Sequence, residues 1–116
     1  MANIALIETT PSSTDFHRWF DFEFDRYALS TAKKKKILKS DVDIQINEDE
    51  YDFFILVGSE PFKYFTKRTS ITAENGRLID DKYLPIINPA MITFRPEAKK
   101  AFEEAVQKKK IIYLVI

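Results

Sequence analysis

The chain has 116 residues, 45% of them hydrophobic, and its 18 Lys and Arg balance 18 Asp and Glu. That size suits one domain spanning 1–116, with a core that buries roughly two-thirds of the unfolded surface, and a zero net charge leaves any basic site to be local. The absence of Cys excludes disulfides, thiol catalysis and thiolate metal sites, and a single His at position 17 argues against an imidazole metal cluster.

No apolar run approaches the roughly 18 residues that span a bilayer, and no basic flank with a long apolar core opens the chain. The expectation is a soluble cytoplasmic protein with no membrane partner. Ten Phe, five Tyr and one Trp against two Gly set it apart from low-complexity chains.

The apolar run at 3–8, NIALIE, predicts a buried strand that runs into a turn at TTPSST. Ser13 or Thr14 then offers a cap for a helix over 15–24, where Phe16, Trp19, Phe20 and Glu23 keep helical spacing in part. KKKKILKS at 33–40 is a basic patch. DVDIQINEDE at 41–50 alternates Val42, Ile44 and Ile46 with acidic or amide residues, as a half-exposed strand or extended connector does.

YDFFILVG at 51–58 is continuously apolar and ends in Gly, the pattern of a strand buried on both faces of a parallel sheet. Ser59 is the expected cap of the next helix, with Pro61 in its first turn and Phe62 and Phe65 on one face. Strand, turn and capped helix make the front half of a βαβ unit. ENG at 74–76 reads as a turn, and RLID and YLPII as short strands. The last helix is expected from Pro96 to about Lys110, with Ala98, Ala101, Phe102, Ala105 and Val106 as its apolar stripe. IIYLVI at 111–116 is apolar and β-branched, fit for a final strand or an interface.

Few residues carry chemistry on their own. Lys63, Lys67 and Arg68 with Tyr64 mix cations and an aromatic ring as single-strand binders do, against the plainer reading of a solvated helix face. Lys33 to Lys36 has the same two readings. Asp41, Asp43, Glu48, Asp49, Glu50 and Asp52 lack the Gly and spacing of a calcium loop, Asp80-Asp81 suits a turn, and no phosphate-binding or dinucleotide motif occurs.

The stretch ILVGSEPFKYFTKRTSITAENGRLID…YLPIINPAMITFRPEAKKAFEEAV, residues 55–106, resembles the C-terminal half of the uracil-DNA glycosylase superfamily. It looks most like the version at the N-terminus of family A DNA polymerases of large bacteriophages of Gram-positive hosts. In active members a strand ending in a small residue leads to a helix, a Ser-Val-Thr…Gly loop, and a strand ending in His-Pro-Ser/Ala before the last helix. Here TSITAENG stands at the loop and NPAM at the His-Pro position. IALIETTPS at 4–12 is similar to the first strand and its loop, where active members carry a Gly-rich, water-positioning motif. Residues 51–110 are the better-matched half.

The resemblance implies a shortened three-layer α/β fold, a mostly parallel sheet flanked by helices. Asn88 replaces the catalytic His and has no proton-accepting nitrogen near neutral pH, and Glu8-Thr9-Thr10-Pro11 replaces the Gly-rich turn. A non-catalytic relative follows, with no catalytic residue, metal or cofactor. The segment Asn88, Pro89, Met91, Ile92 and Arg95 occupies the place where the enzymes press an apolar wedge into DNA, and with Lys63, Lys67 and Arg68 it forms the DNA-binding candidates. The plainer reading seats Met91, Ile92 and Phe94 on the core beneath the last helix.

The expected function is a non-catalytic N-terminal domain or fragment of a phage DNA polymerase. It would bind DNA, as a single strand or a primer-template, or the remaining polymerase domains and other replication proteins, in the infected host cell. No polymerase palm motif occurs in the 116 residues, and the ending KKKIIYLVI is not the continuation expected of those polymerases, which suits a separately encoded or interrupted piece. Two alternatives stand beside it: a phage protein that binds a host factor through exposed aromatics and the apolar end, and a residual glycosylase using Glu8 or Asn88.

Overall fold

The computed structural model describes residues 3–9, 15–20, 22–30, 36–39 and 42–108. Six strands, β1 (Ile4–Glu8), β2 (Asp25–Ser30), β3 (Lys36–Lys39), β4 (Val42–Ile44), β5 (Phe53–Val57) and β6 (Tyr83–Ile86), form one sheet in the order β4-β3-β2-β1-β5-β6. The pairings β2–β1, β1–β5 and β5–β6 are parallel, and β2–β3 and β3–β4 are antiparallel. Four α-helices, α1 (Ser59–Thr66), α2 (Ile71–Glu74), α3 (Met91–Phe94) and α4 (Ala98–Gln107), and two 3-10 turns, Phe16–Arg18 and Glu48–Glu50, complete the described elements.

Alternation along β1 and β5 divides the core in two. Ile4 and Leu6 join Phe53, Ile55 and Val57 on one face, packed against Phe16, Phe20 and the Phe102, Ala105 and Val106 side of α4. Ala5 and Ile7 join Phe54 and Leu56 on the other, packed against Phe62 of α1 and Ile71 of α2. A strand buried on both faces needs apolar residues at every position, which is why β5 reads as an unbroken run. The result is the expected three-layer α/β architecture. Five of the ten Phe (16, 20, 54, 62 and 102) are fully buried, at about 1.5–3 kcal/mol of burial each.

Several local expectations are corrected. The described residues of 15–24 do not form the expected helix: a single 3-10 turn, Phe16–Arg18, is held by Asp15, whose carboxylate accepts the His17 N–H at 3.1 Å, and residues 22–24 enter β2 without regular structure. Phe20, Phe22 and Phe24 recur every second residue and all pack on the same core, which an extended chain permits and a helix does not. Ser59 makes no side-chain cap. Gly58 takes the N-cap position with φ 93°, and the helix starts immediately behind it.

RLID is not a strand. Its Ile79 exchanges two backbone hydrogen bonds with Tyr83 (2.8 and 2.9 Å) across a tight turn in which Asp80 and Asp81 both have positive φ, so the Asp80-Asp81 turn is present. The last helix begins at Ala98 rather than Pro96, because residues 95–97 form a turn whose carbonyls accept the Ala98 and Lys99 N–H groups. Lys36–Lys39, expected only as a basic patch, is strand β3, with Ile37 and Leu38 buried between exposed lysines. The expected cap at Ser13 or Thr14, Lys33–Lys35 and the 111–116 tail lie outside the described residues.

Candidate functional site

In an open parallel sheet the loops diverge where neighbouring strands connect in opposite directions, and the crevice beyond their carboxyl ends is where ligands bind. Here β1 leads to β2 on one side while β5 and β6 lie on the other, so the switch point is at the ends of β1 and β5. Three segments meet there. A methyl group on Gly58 would lie 3.6 Å from the Thr9 hydroxyl and 3.7 Å from the Asn88 Cβ, so the first loop, the start of α1 and the end of β6 converge on one glycine. Its N–H donates to the Ile86 carbonyl at 2.9 Å, which fixes β6 against the junction.

Glu8 closes β1 and is 3% exposed. Arg26 donates to it from Nε at 2.5 Å, and the guanidinium carbon stands 4.8 Å from the Phe16 ring centroid. A carboxylate so enclosed and paired is poorly placed to take a proton from a water in the crevice. Asn88, half-buried, uses its side-chain oxygen to accept the Ala90 N–H at 2.9 Å, and its carbonyl accepts the Met91 N–H at 2.9 Å. These bonds fold the chain behind Pro89 into α3.

Within α3 the side chains divide sharply. Met91 and Ile92 are partly buried against the β1, β5, β6 and α4 core, while Phe94 is 83% exposed with exposed Arg95 beside it. The plainer expectation thus describes Met91 and Ile92 but not Phe94. One helical turn places only part of its circumference on a core, and Met91-Phe94 spacing carries no sign of which residue is left outside.

The other DNA-binding candidates lie elsewhere. Lys63, Lys67 and Arg68 belong to α1 and its exit, in the layer opposite to α3 and α4. The Arg68 guanidinium is taken by Glu74, with one nitrogen at 3.0 and 3.1 Å from the two carboxylate oxygens. Lys63 and Lys67 are exposed, and Lys67 donates to the Tyr64 carbonyl at 3.2 Å. The eight candidates therefore form two groups on two layers.

The ENG motif also does more than turn the chain. Asn75 donates from Nδ2 to the Ala101 carbonyl at 2.9 Å and accepts the Ile87 N–H at 3.1 Å, tying α4 to the end of β6 directly before Asn88. Gly76 lets α4 approach so closely that an added Cβ would stand 3.1 Å from the Ala105 Cα. At the opposite end of the sheet, Tyr51 donates to Asp25 at 2.7 Å and shares a hydrogen bond with Tyr27, and Tyr83 donates to Glu48. Burial first, then these hydrogen bonds and the neighbouring carboxylates, push both the Tyr51 and Tyr83 hydroxyls far above the ordinary phenol range.

Among the described residues there is no cluster of three or more metal-ligating side chains, and no helix is long and apolar enough to cross a membrane. No family model and no solved structure matches the chain. Among curated proteins it is similar to the DNA polymerase of Escherichia phage T5, 29% identical over 117 aligned positions. The alignment takes in 90% of this chain and 14% of that polymerase, so the chain spans a small fraction of its relative. The relative's host is Escherichia, not the Gram-positive host that the resemblance implied.

Proposed function

We propose that this chain is a non-catalytic piece of a phage DNA replication apparatus, related to the front of a phage DNA polymerase and built on a shortened, degenerate uracil-DNA glycosylase-like domain. It touches DNA through the loop that follows Asn88. One observation carries the reading: Phe94, 83% exposed and flanked by Arg95, projects from a turn whose other apolar residues are anchored on the core. An aromatic side chain on a rigid base can enter a base step, and the adjacent guanidinium can hold a phosphate. Similarity to the phage T5 polymerase supplies the biological setting. Asn88 in place of a proton-accepting His, and the Glu8–Arg26 pair, support the absence of glycosylase chemistry.

The test is fluorescence anisotropy of labelled single-stranded and primer-template DNA at two salt concentrations. Phe94→Ala and Arg95→Glu are each expected to weaken binding at least several-fold, Arg95→Glu with a shallower salt dependence. Met91→Ala should act only by loosening the fold. If the intact chain binds neither DNA at tens of micromolar, the DNA-contacting role is lost, and a protein-binding role within replication takes its place. A uracil-containing oligonucleotide cleaved in alkali after incubation with the chain would overturn the non-catalytic assignment.

A further inference from the structure

Lys36 of β3 and the Tyr64-Phe65 rings of α1, far apart in sequence, meet at a cleft whose lining does not include the loop after Asn88. An open cleft of ≈ 630 Å³ lies between α1 and the chain leaving β4, lined by Lys36, Gln45, Tyr64 and Phe65 over a floor of Ile37, Ile44 and Ile46, with Asp43 and Glu48 at its sides. Tyr64 is 37% exposed and makes an edge contact with Phe65 at 5.0 Å between centroids. Lys67 stands 5.7 Å from the Tyr64 centroid, and Lys63 is exposed one residue before Tyr64. Two carboxylates share the lining: Asp43 lies 3.8 Å from the Lys36 ammonium in an exposed pair that a phosphate must compete with, and Glu48 accepts from Tyr83 and lies 3.8 Å from Lys82.

We infer that this cleft binds an unpaired nucleic-acid strand, with one base against Tyr64, its polar edge toward Gln45, and the flanking phosphates at Lys36 and Lys67. The volume falls within the range of small-molecule sites and accommodates a base with its sugar. Its lining combines the Tyr64 and Phe65 rings with Ile37, Ile44 and Ile46 and one cation, Lys36, and Lys67 stands beside Tyr64, an aromatic and basic combination with which single-strand binders hold a chain without reading its sequence. The choice of ligand rests on the replication reading above. The cleft and the Asn88 loop are on opposite layers, so each is tested separately.

A fluorescein-labelled oligothymidylate is titrated into the full chain and its Tyr64→Ala, Lys36→Glu and Phe94→Ala variants, with circular dichroism as the folding control. Tyr64→Ala is expected to weaken binding about 5-fold or more, the loss of one stacked base, and Lys36→Glu to weaken it in a salt-dependent way. A Tyr64→Phe variant retains the ring and should keep most of the affinity. Photo-crosslinking of an iododeoxyuridine oligonucleotide to the unaltered chain should label the segment containing Tyr64. Binding that is sensitive to Phe94→Ala but indifferent to Tyr64→Ala and Lys36→Glu overturns the cleft and leaves the loop reading intact; the reverse pattern supports the cleft and removes the loop. Thymidine monophosphate competing as well as the oligonucleotide would assign the cleft to free nucleotides and overturn the strand.

Discussion

Asn75 shows how one side chain can hold a functional loop in place without touching a ligand. Its amide spans two elements, donating to α4 and accepting from the residue after β6, and both backbone partners are partly or wholly buried. Asn75→Ala strands the Ile87 N–H and removes the tie to the Ala101 carbonyl, which still accepts within α4, so the cost is about 1–3 kcal/mol for the one unsatisfied group. Urea unfolding should show the midpoint falling with little change in slope. Because Ile87 precedes Asn88, DNA affinity should fall with it in the folded variant. Tyr51 and Tyr83 give a second prediction, in pH. Their hydroxyls hold protons more tightly in the folded chain than in the unfolded one, where a phenol titrates at about 10. The stability they add is whole below that pH and drains away as the pH rises toward their folded values. Melting temperatures measured from pH 8 to 11.5 should fall more steeply above about pH 10 for the unaltered chain than for Tyr51→Phe or Tyr83→Phe. Parallel curves would show that these phenols are not linked to folding.

The junction of β5 with α1 is the element on which the crevice turns. A strand buried on both faces must deliver the chain into a helix without an intervening loop, and Gly58 does so at φ 93° and ψ 169°, a region that residues with a Cβ scarcely enter. An added methyl has ordinary room, with its nearest neighbours 3.6 and 3.7 Å away, so Gly58→Ala fails through the backbone rather than through crowding. The expected loss is about 1–3 kcal/mol, readable by chemical denaturation, and a loss near zero would mean that the junction relaxes into another conformation. Sequence periodicity served the elements unevenly. It found α4 from its i, i+3, i+4 stripe, and β1 and β5 from short apolar runs whose length and flanking Gly or Pro decide for strand over helix. It failed over 15–24, where five aromatic residues crowd a short segment and both periods fit in part, and at Ser59, where the preceding Gly already supplied the turn. The site was legible only as a stretch of chain: Asn88 to Arg95 could be named, but which apolar side chain faces outward depends on the packing of α4, and the meeting of Lys36 with Tyr64 depends on sheet order.

At the scale of the whole molecule the sheet is unequal from side to side. β1 and β5 are flanked by strands and covered on both faces, and β6 is guarded on its outer side by the bonds from Gly76 to Pro85 and from Ile79 to Tyr83. Among the described residues β4 has no strand beyond it; it spans three residues and leaves Val42 61% exposed. Opening it uncovers little apolar surface, whereas separating β1 from β5 uncovers both halves of the core. Native-state hydrogen exchange should therefore divide the strands, with Phe53–Val57 amides exchanging only through global unfolding and β4 amides at least ten times faster through local opening. The same gradient bears on the cleft beside Tyr64, since Ile44 and Gln45 line it. If an unpaired strand occupies that cleft, adding oligothymidylate should slow exchange in β4 and at Gln45 while leaving β5 unchanged. Protection confined instead to residues 90–95 would place the whole of the DNA contact on the loop after Asn88. Equal exchange in β4 and β5 without DNA would mean that β4 opens only with the core, and that this side of the cleft is rigid before any ligand arrives.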